Sequence, residues 1–439
     1  MSVSETLASD DVARARQQGE SIAVSGRLTS GLNRFVFFSA FDGTNNDKSD
    51  VKLSGNPQNT NVAQLFDQVD KASKLTEGLR TSYFPGPGTR GSRAGSAWFG
   101  PEVTAQIVDT AQRAYAQFCA EASKWLDRHP NGSVTAMMTS FSRGSASAAI
   151  FSQLLWEHGL VDPKTGKTLI PPGEVGVTAG LIYDPVDTGV SGNLAFAPNV
   201  RNITVVRSLD EHRTEFRGAD YTGQPGVTVL PFTGNHCDVG GGYDNGLGAL
   251  SLEAGTAFFR NSGLPIADVA EARRFDPTQP VVIHTEGVDD HGRRQWSEDA
   301  LHGYGVPRLN ERVVTAAMIQ EKSANSQTTR FTDFNGTHVT LTTRPDGGYT
   351  ERMTTRDGHT VDTSSNNRAP VQTNTDSAIG HSPSSETAGE FNIYGIDTKG
   401  NIHPSLINGA KGANEAYVKQ WCDERGYREA PSRSFKNAG

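Results

Sequence analysis

Five short apolar runs, each ending at a cluster of turn residues, constrain this chain most. Phe35–Phe41 stops at Asp42-Gly43-Thr44-Asn45-Asn46, and Ser133–Met138 runs into Thr139-Ser140-Phe141-Ser142-Arg143-Gly144. Val175–Tyr183 stops at Asp184-Pro185-Val186-Asp187, Asn202–Arg207 at Ser208-Leu209-Asp210-Glu211, and Val227–Phe232 at Thr233-Gly234-Asn235-His236. Runs this short and continuous read as strands buried on both faces, the pattern of a parallel sheet. Helical periodicity lies between them. Val62, Leu65, Phe66 and Val69 share a face within Asn59–Lys74, and Val103, Ile107, Ala111, Tyr115 and Phe118 share one within Glu102–Arg128. Ala146–Leu155 and Leu247–Ser262 read as two more helices. The alternation predicts an α/β fold, a mostly parallel sheet with helices on both faces.

The turn after the second run carries the chemistry. Ser140-x-Ser142-x-Gly144 sits between a strand and a helix of small residues, where a nucleophile elbow belongs. Its usual form is G-x-S-x-G, and here serine replaces the first glycine. A serine hydroxyl needs an imidazole to take its proton, and the imidazole needs an acid to fix its tautomer. Ser142, then an acid, then His236, each just past a strand, is the chain order of the α/β-hydrolase triad. Three acids compete for the middle place: Asp184, Asp187 and Asp210. Asp238 adjoins His236 in sequence and is badly placed to reach its ring. Backbone N–H groups of Arg143 and near Gly43 are the candidate oxyanion donors. The Gly240–Gly242 run lacks a P-loop lysine and reads as a close-packed turn. Asp238, Asp244 and Asn245 do not have EF-hand spacing, and His284, His291, His302, His338, His359, His381 and His403 read as scattered.

A net charge of −8 argues against a non-specific nucleic-acid binder. Cys119, Cys237 and Cys422 form neither a disulfide framework nor a zinc motif, which points to folding in a reducing cytoplasm. Met1–Asn33 is polar and lacks the apolar core of a signal peptide, so action outside the producing cell requires another export route. We expect a polar leader at 1–33 with Ser4–Ser21 helical or flexible, and a catalytic domain at 34–325. A β-meander extension follows at 326–362, then a Ser/Thr/Asn-rich linker at 363–390 and a C-terminal segment at 391–439 with a helix at Glu415–Arg425. The meander rests on evenly spaced hairpin signals, Asn335-Gly336, Asp346-Gly347 and Asp357-Gly358. Pro280–His284 reads as a strand turning at Asp289–Gly292. Gly86–Gly100 and Leu160–Gly173 are the candidate lids.

Taken together, Phe41-Asp42-Gly43-Thr44-x-Asn46, Ser140-Phe141-Ser142-Arg143-Gly144-Ser145-Ala146, Ser208-Leu209-Asp210-Glu211-x-Arg213-x-x-Phe216 and His236-Cys237-Asp238-Val239-Gly240-Gly241-Gly242-Tyr243 resemble a family of α/β-hydrolase-like proteins that includes phospholipase effectors of the bacterial type VI secretion system. Tyr83-Phe84-x-Gly86-x-Gly88-Thr89 is similar to that family's loop. The resemblance covers about Arg34–Leu264. It implies a phospholipase A that works through an acyl-enzyme without metal or organic cofactor, with Ser142 as nucleophile, His236 as base and Asp184 as acid; Asp210 is the alternative acid. It also implies a membrane phospholipid substrate, a secretion spike component and an immunity protein as partners, no nucleic acid, and action at a target cell's envelope. Two other readings follow from the same residues: a different carboxylic-ester or thioester hydrolase, and a non-catalytic binding module of the secretion machinery.

Overall fold

A computed structural model describes residues 3–28, 34–89, 101–211, 213–244, 246–285, 311–314 and 318–365. The expected turn at 289–292, the segments from 366 onward, including the helix at 415–425, and Asn245 lie outside the described residues.

In chain order the elements are β1 (Val3–Thr6), α1 (Ser9–Ser25), β2 (Arg34–Phe41), α2 (Asn61–Ser73), β3 (Leu79–Phe84), α3 (Pro101–Arg128), β4 (Ser133–Phe141) and α4 (Gly144–His158). Then come β5 (Leu160–Val161), β6 (Thr168–Ile170), β7 (Gly176–Tyr183), β8 (Ile203–Ser208), β9 (Gly218–Asp220), β10 (Val227–Phe232), α5 (His236–Gly240) and α6 (Leu247–Asn261). The rest are β11 (Val282–Thr285), β12 (Glu311–Val313), β13 (Met318–Lys322), β14 (Gln327–Thr332), β15 (His338–Thr343), β16 (Tyr349–Thr354) and β17 (Thr360–Ser365).

Six strands form the central sheet in the order β10-β8-β7-β4-β2-β3, and every pairing is parallel. The chain runs from β2 to its neighbour β3 and then crosses back to β4 on the other side of β2. That reversal is a topological switch point, where the loops leaving β2 and β4 diverge and open a crevice at the strands' carboxyl ends. The two faces of the sheet are covered by different helices. Phe35, Phe37 and Phe41 share a core with residues of α3 and α4, whereas Val36, Phe38 and Ala40 share one with α1, α2 and α6. Ring contacts fix both sides: Phe37 meets Phe118 at 6.0 Å, and Phe38 meets Phe259 edge-on at 5.1 Å.

Two parts of the chain are bound in more closely than their composition suggests. Within the polar stretch at 1–33, α1 packs on α6 through a narrow buried stripe of Ala15, Gly19 and Ile22, and β1 pairs antiparallel with β11. The meander has five antiparallel strands, β13 to β17, so it begins at Met318, before 326. Its three Gly-containing turns have positive φ at Gly336, Gly347 and Gly358. The meander lies against α4, where Trp156 meets Phe331 at 5.7 Å and the Phe334 N–H donates to Gln153 Oε1 at 2.8 Å. With the sheet beneath it and the meander above, every residue of α4 is buried, and its sequence is accordingly mostly small or apolar on all sides, with Gln153, Glu157 and His158 the larger polar exceptions. The stretch from Leu160 to Gly173 forms the β5–β6 hairpin.

Candidate active site

Ser142 follows β4 directly, at the switch point. Its φ of 54° lies in the left-handed region, which a non-glycine residue enters only under constraint. The constraint is visible in the hydrogen bonds. Its N–H donates to the Tyr183 carbonyl at 3.1 Å, and its carbonyl accepts from Val186 N–H at 3.3 Å and Ser145 N–H at 3.1 Å. Gly144 has to be glycine, because a Cβ there would overlap the carbonyl oxygens of Phe41 and Asp42. Ser140, in the place of the usual first glycine, is fully buried and its hydroxyl donates to Ser145 Oγ at 3.1 Å. The elbow therefore accommodates the extra side chain and satisfies it.

Asp184 directly follows β7, the strand beside β4, and it too has positive φ, 34°. One carboxylate oxygen accepts from the Ser208 N–H at 3.0 Å; the other lies 2.6 Å from His236 Nδ1. An ionised Asp184 fixes the proton on Nδ1 and leaves Nε2 as the acceptor. His236 opens α5. Asn235 caps that helix by accepting from the Cys237 and Asp238 N–H groups, and Asp238 accepts from the Asn235 N–H, a complete capping box. Phe141 lies against the imidazole at 4.3 Å and Phe216 meets it edge-on at 4.8 Å. Burial in this apolar setting holds the ring's pKa below the ordinary histidine value, while the Asp184 hydrogen bond and charge pull it upward. Gly240 packs so closely on Phe141 that a Cβ would enter its ring. Part of the glycine run thus seats the ring that supports the imidazole. Among the described residues no hydrogen bond joins the Ser142 hydroxyl to His236; such bonds are often long until substrate is present.

The loop after β2 faces Ser142, with Gly43 against the serine's Cβ. The Gly43 N–H, however, already donates to Asp42 Oδ1 at 2.8 Å. Asp42 also accepts from the Thr60 hydroxyl, at 2.8 Å to Oδ2, and from the Tyr83 hydroxyl at 2.7 Å. Burial pushes the Asp42 carboxyl up to about 6 against these bonds. Arg143 is buried and ties the two loops together: Nε–H donates to the Thr188 carbonyl at 2.7 Å and Nη1–H to Thr44 Oγ1 at 3.2 Å.

Of the three acids only Asp184 is hydrogen-bonded to His236 among the described residues. Asp210 accepts from the Gly234 N–H at 2.8 Å, and burial pushes it up to about 6. Asp187 pairs with Arg217 and Arg312. Asp238, badly placed for the His236 ring as expected from its position beside it, instead forms a second acid–imidazole pair at 2.7 Å with His284, which the sequence left as scattered, and Tyr243 stacks on the His284 ring at 3.9 Å. That pair joins the helix bearing His236 to β11. No local spacing marks it, since the partners are 46 residues apart. Glu211 was also missed as a contributor: it accepts from the His236 N–H at 3.4 Å and pairs with Arg213.

A parallel sheet with a serine on the elbow after one central strand, and an acid–histidine pair at the same rim, defines an α/β-hydrolase-like fold. Residues 36–171 match the family model described as the type VI secretion system phospholipase effector, Tle1-like, catalytic domain. The matched span runs from β2 through the elbow and stops short of Asp184 and His236. No curated protein matches the chain. Among solved structures, an uncharacterized protein from Pseudomonas aeruginosa is similar at 17% identity and a TM-score of 0.41, over 62% of this chain and 52% of that one. The Tle1 effector bound to the VgrG spike of the type 6 secretion system is similar at 19% identity and 0.35, over 50% and 53%. Esterase PE8 is similar at 12% identity and 0.26, over 53% and 94%. The chain thus spans about half the length of the first two structures it matches.

Proposed function

We propose that this protein is a serine ester hydrolase, a phospholipase A acting on glycerophospholipids as a type VI secretion effector. Ser142 attacks the acyl carbonyl, His236 Nε2 takes the hydroxyl proton and passes it to the leaving alcohol, and Asp184 holds the tautomer and stabilises the imidazolium. The acyl-enzyme is then hydrolysed by water through the same base. The observation that carries this reading is the 2.6 Å bond between Asp184 and His236 Nδ1, on the strand beside the one whose elbow carries Ser142. The backbone N–H following Ser142 is the first oxyanion donor. The loop at Gly43 supplies the second from a neighbour of Gly43, whose own N–H is committed to Asp42.

The family match supports phospholipid as the substrate class and type VI secretion as the route; the proposed place of action is a target cell's envelope. By analogy with the Tle1–VgrG complex, a spike protein is the delivery partner, and an immunity protein guards the producer. The test is hydrolysis of defined phospholipids read by mass spectrometry, with labelling by a fluorophosphonate probe. Wild type is expected to release fatty acid and to be labelled, and Ser142→Ala to do neither. Toxicity that survives Ser142→Ala would replace the enzyme reading with the binding-module reading.

A further inference from the structure

Beside the elbow lies a group of charges that the ester chemistry does not use. Asp187 is fully buried, and its oxygens accept from Arg217 Nε at 2.6 Å and Nη2 at 3.1 Å and from Arg312 Nη1 at 3.3 Å. Arg143 also feels this carboxylate, which holds its guanidinium up while burial lowers it to about 10. One carboxylate therefore holds two guanidiniums by hydrogen bonds and acts electrostatically on a third. Two other arginines nearby are paired with acids of their own, Arg207 with Glu311 and Arg213 with Glu211.

The group is fastened to the site on three sides. Val186, just before Asp187, donates to the Ser142 carbonyl. Arg143 follows Ser142 and spans from Thr188 to Thr44. Phe216, just before Arg217, touches the His236 ring. Arg217 and Arg312 keep 38% and 37% of their side-chain surface exposed. Among the described residues, Arg217 spends two N–H groups on Asp187, and Arg312 spends one on Asp187 and one on the Gly192 carbonyl. A guanidinium carries five N–H donors in a rigid fork, so donors remain in the geometry that suits phosphate oxygens.

We propose that Arg217 and Arg312, backed by Arg143, form a subsite that takes the phosphodiester of the substrate while Ser142 attacks its acyl ester. The inference rests on the serine-hydrolase reading and deepens it by assigning the discrimination between phosphate-bearing and neutral lipids. Asp187 keeps the forks oriented, and binding energy gained away from the reacting bond positions the carbonyl. Inorganic phosphate offers the same oxygens without the acyl chains.

The experiment measures kcat/KM on phosphatidylglycerol and on diacylglycerol of identical acyl chains, in the same non-ionic micelles, for wild type, Arg312→Gln, Arg217→Gln and Arg312→Lys. The ratio of phosphatidylglycerol to diacylglycerol is expected to fall at least tenfold in each glutamine variant, with partial recovery in Arg312→Lys. Thermal unfolding checks that each variant folds; the two glutamine variants are independent, since either leaves Asp187 one hydrogen-bonded guanidinium. Equal losses on both lipids would overturn the subsite and leave the serine mechanism standing. Wild type that cleaves neither lipid would sink the mechanism itself. Inorganic phosphate is expected to inhibit wild type competitively and Arg312→Gln much less; undiminished inhibition of the variant would put the anion elsewhere and refute the assignment.

Discussion

Glu351→Gln should flatten the dependence of stability on pH. Three carboxyl groups, Glu157 on α4 and Asp333 and Glu351 on the meander, are buried where the meander covers α4. Among the described residues, Glu157 and Glu351 each have one oxygen without a hydrogen-bond partner. Burial pushes Glu351 up to about 8 and Asp333 up to about 6, and lifts Glu157 well above its ordinary range, with the other two carboxyls pushing it further. The groups facing them do not compensate with charge. Thr363 donates to Glu351 and Thr337 to Asp333, Tyr349 is neutral, and burial holds His158, next to Glu157, down to about 4 and so uncharged at neutral pH. A carboxyl raised on folding contributes stability that is complete below the unfolded value, near 4.5, and is lost as pH rises towards the folded value, about 8. At about 1.36 kcal/mol per unit the full window is worth about 4–5 kcal/mol, and water reaching the ionised group reduces this to about 2 kcal/mol. Glutamine has no proton to lose and still accepts from Thr363. Thermal melts by circular dichroism at constant ionic strength, from pH 5 to pH 8, should therefore show a fall in Tm about 2–3 °C larger for wild type than for the variant. Parallel curves, or a variant that loses more than wild type between those limits, would refute the assignment of a protonated Glu351.

Four further outcomes follow from the site and its supports. Asp184→Asn should cut kcat on a short-chain p-nitrophenyl ester about 10³–10⁴-fold, and Asp210→Asn much less, because its contact is to Gly234; the reverse ranking would exchange their roles. Catalysis needs a neutral imidazole, so activity is lost as pH falls through the His236 pKa, which burial places below the ordinary 6.5; a kcat/KM profile whose acid limb lies above 7 would contradict this. Gly144→Ala forces a methyl into two carbonyl oxygens and should cost about 2–3 kcal/mol in urea unfolding. His284→Ala leaves the buried Asp238 carboxylate without its imidazole and should cost about 1–3 kcal/mol in the same measurement.

What could be read from the chain was what local spacing encodes. The strands buried on both faces announce themselves as unbroken apolar runs, and the elbow by small residues between a strand and a helix. The hairpin turns of the meander follow from Asn-Gly and Asp-Gly pairs, because those positions need positive φ. Contacts between distant segments were not legible. The α1 stripe consists of Ala15, Gly19 and Ile22, too small and sparse to stand out from a polar sequence, yet α6 closes on it. Buried acids such as Glu157 and Glu351 defy the usual placement of carboxylates on the surface. Asp187 gave no sign of its arginines, which lie 30 and 125 residues further on.

The choice among the three acids shows why order along the chain was insufficient. Asp184, Asp187 and Asp210 all follow strands, so each satisfies the serine–acid–histidine sequence. Lateral order in the sheet separates them. β7 is the strand beside β4, and the ladder between them continues past the strand ends, with Ser142 N–H bonded to the Tyr183 carbonyl and Val186 N–H to the Ser142 carbonyl. On the other side, Asp184 N–H reaches the Val206 carbonyl and the Ser208 N–H reaches the Asp184 carboxylate. These bonds hold two non-glycine residues at positive φ, a strain of about 1–3 kcal/mol each, and each bond returns about 1 kcal/mol. The strained pair is thus locked to the same rigid rim, and the histidine comes to it on a helix with its own capping box. Asp184 sits between Tyr183 and Val186, two residues whose backbone groups bond to Ser142, and so it shares the elbow's frame from the adjacent strand; Asp210 lies a strand further away.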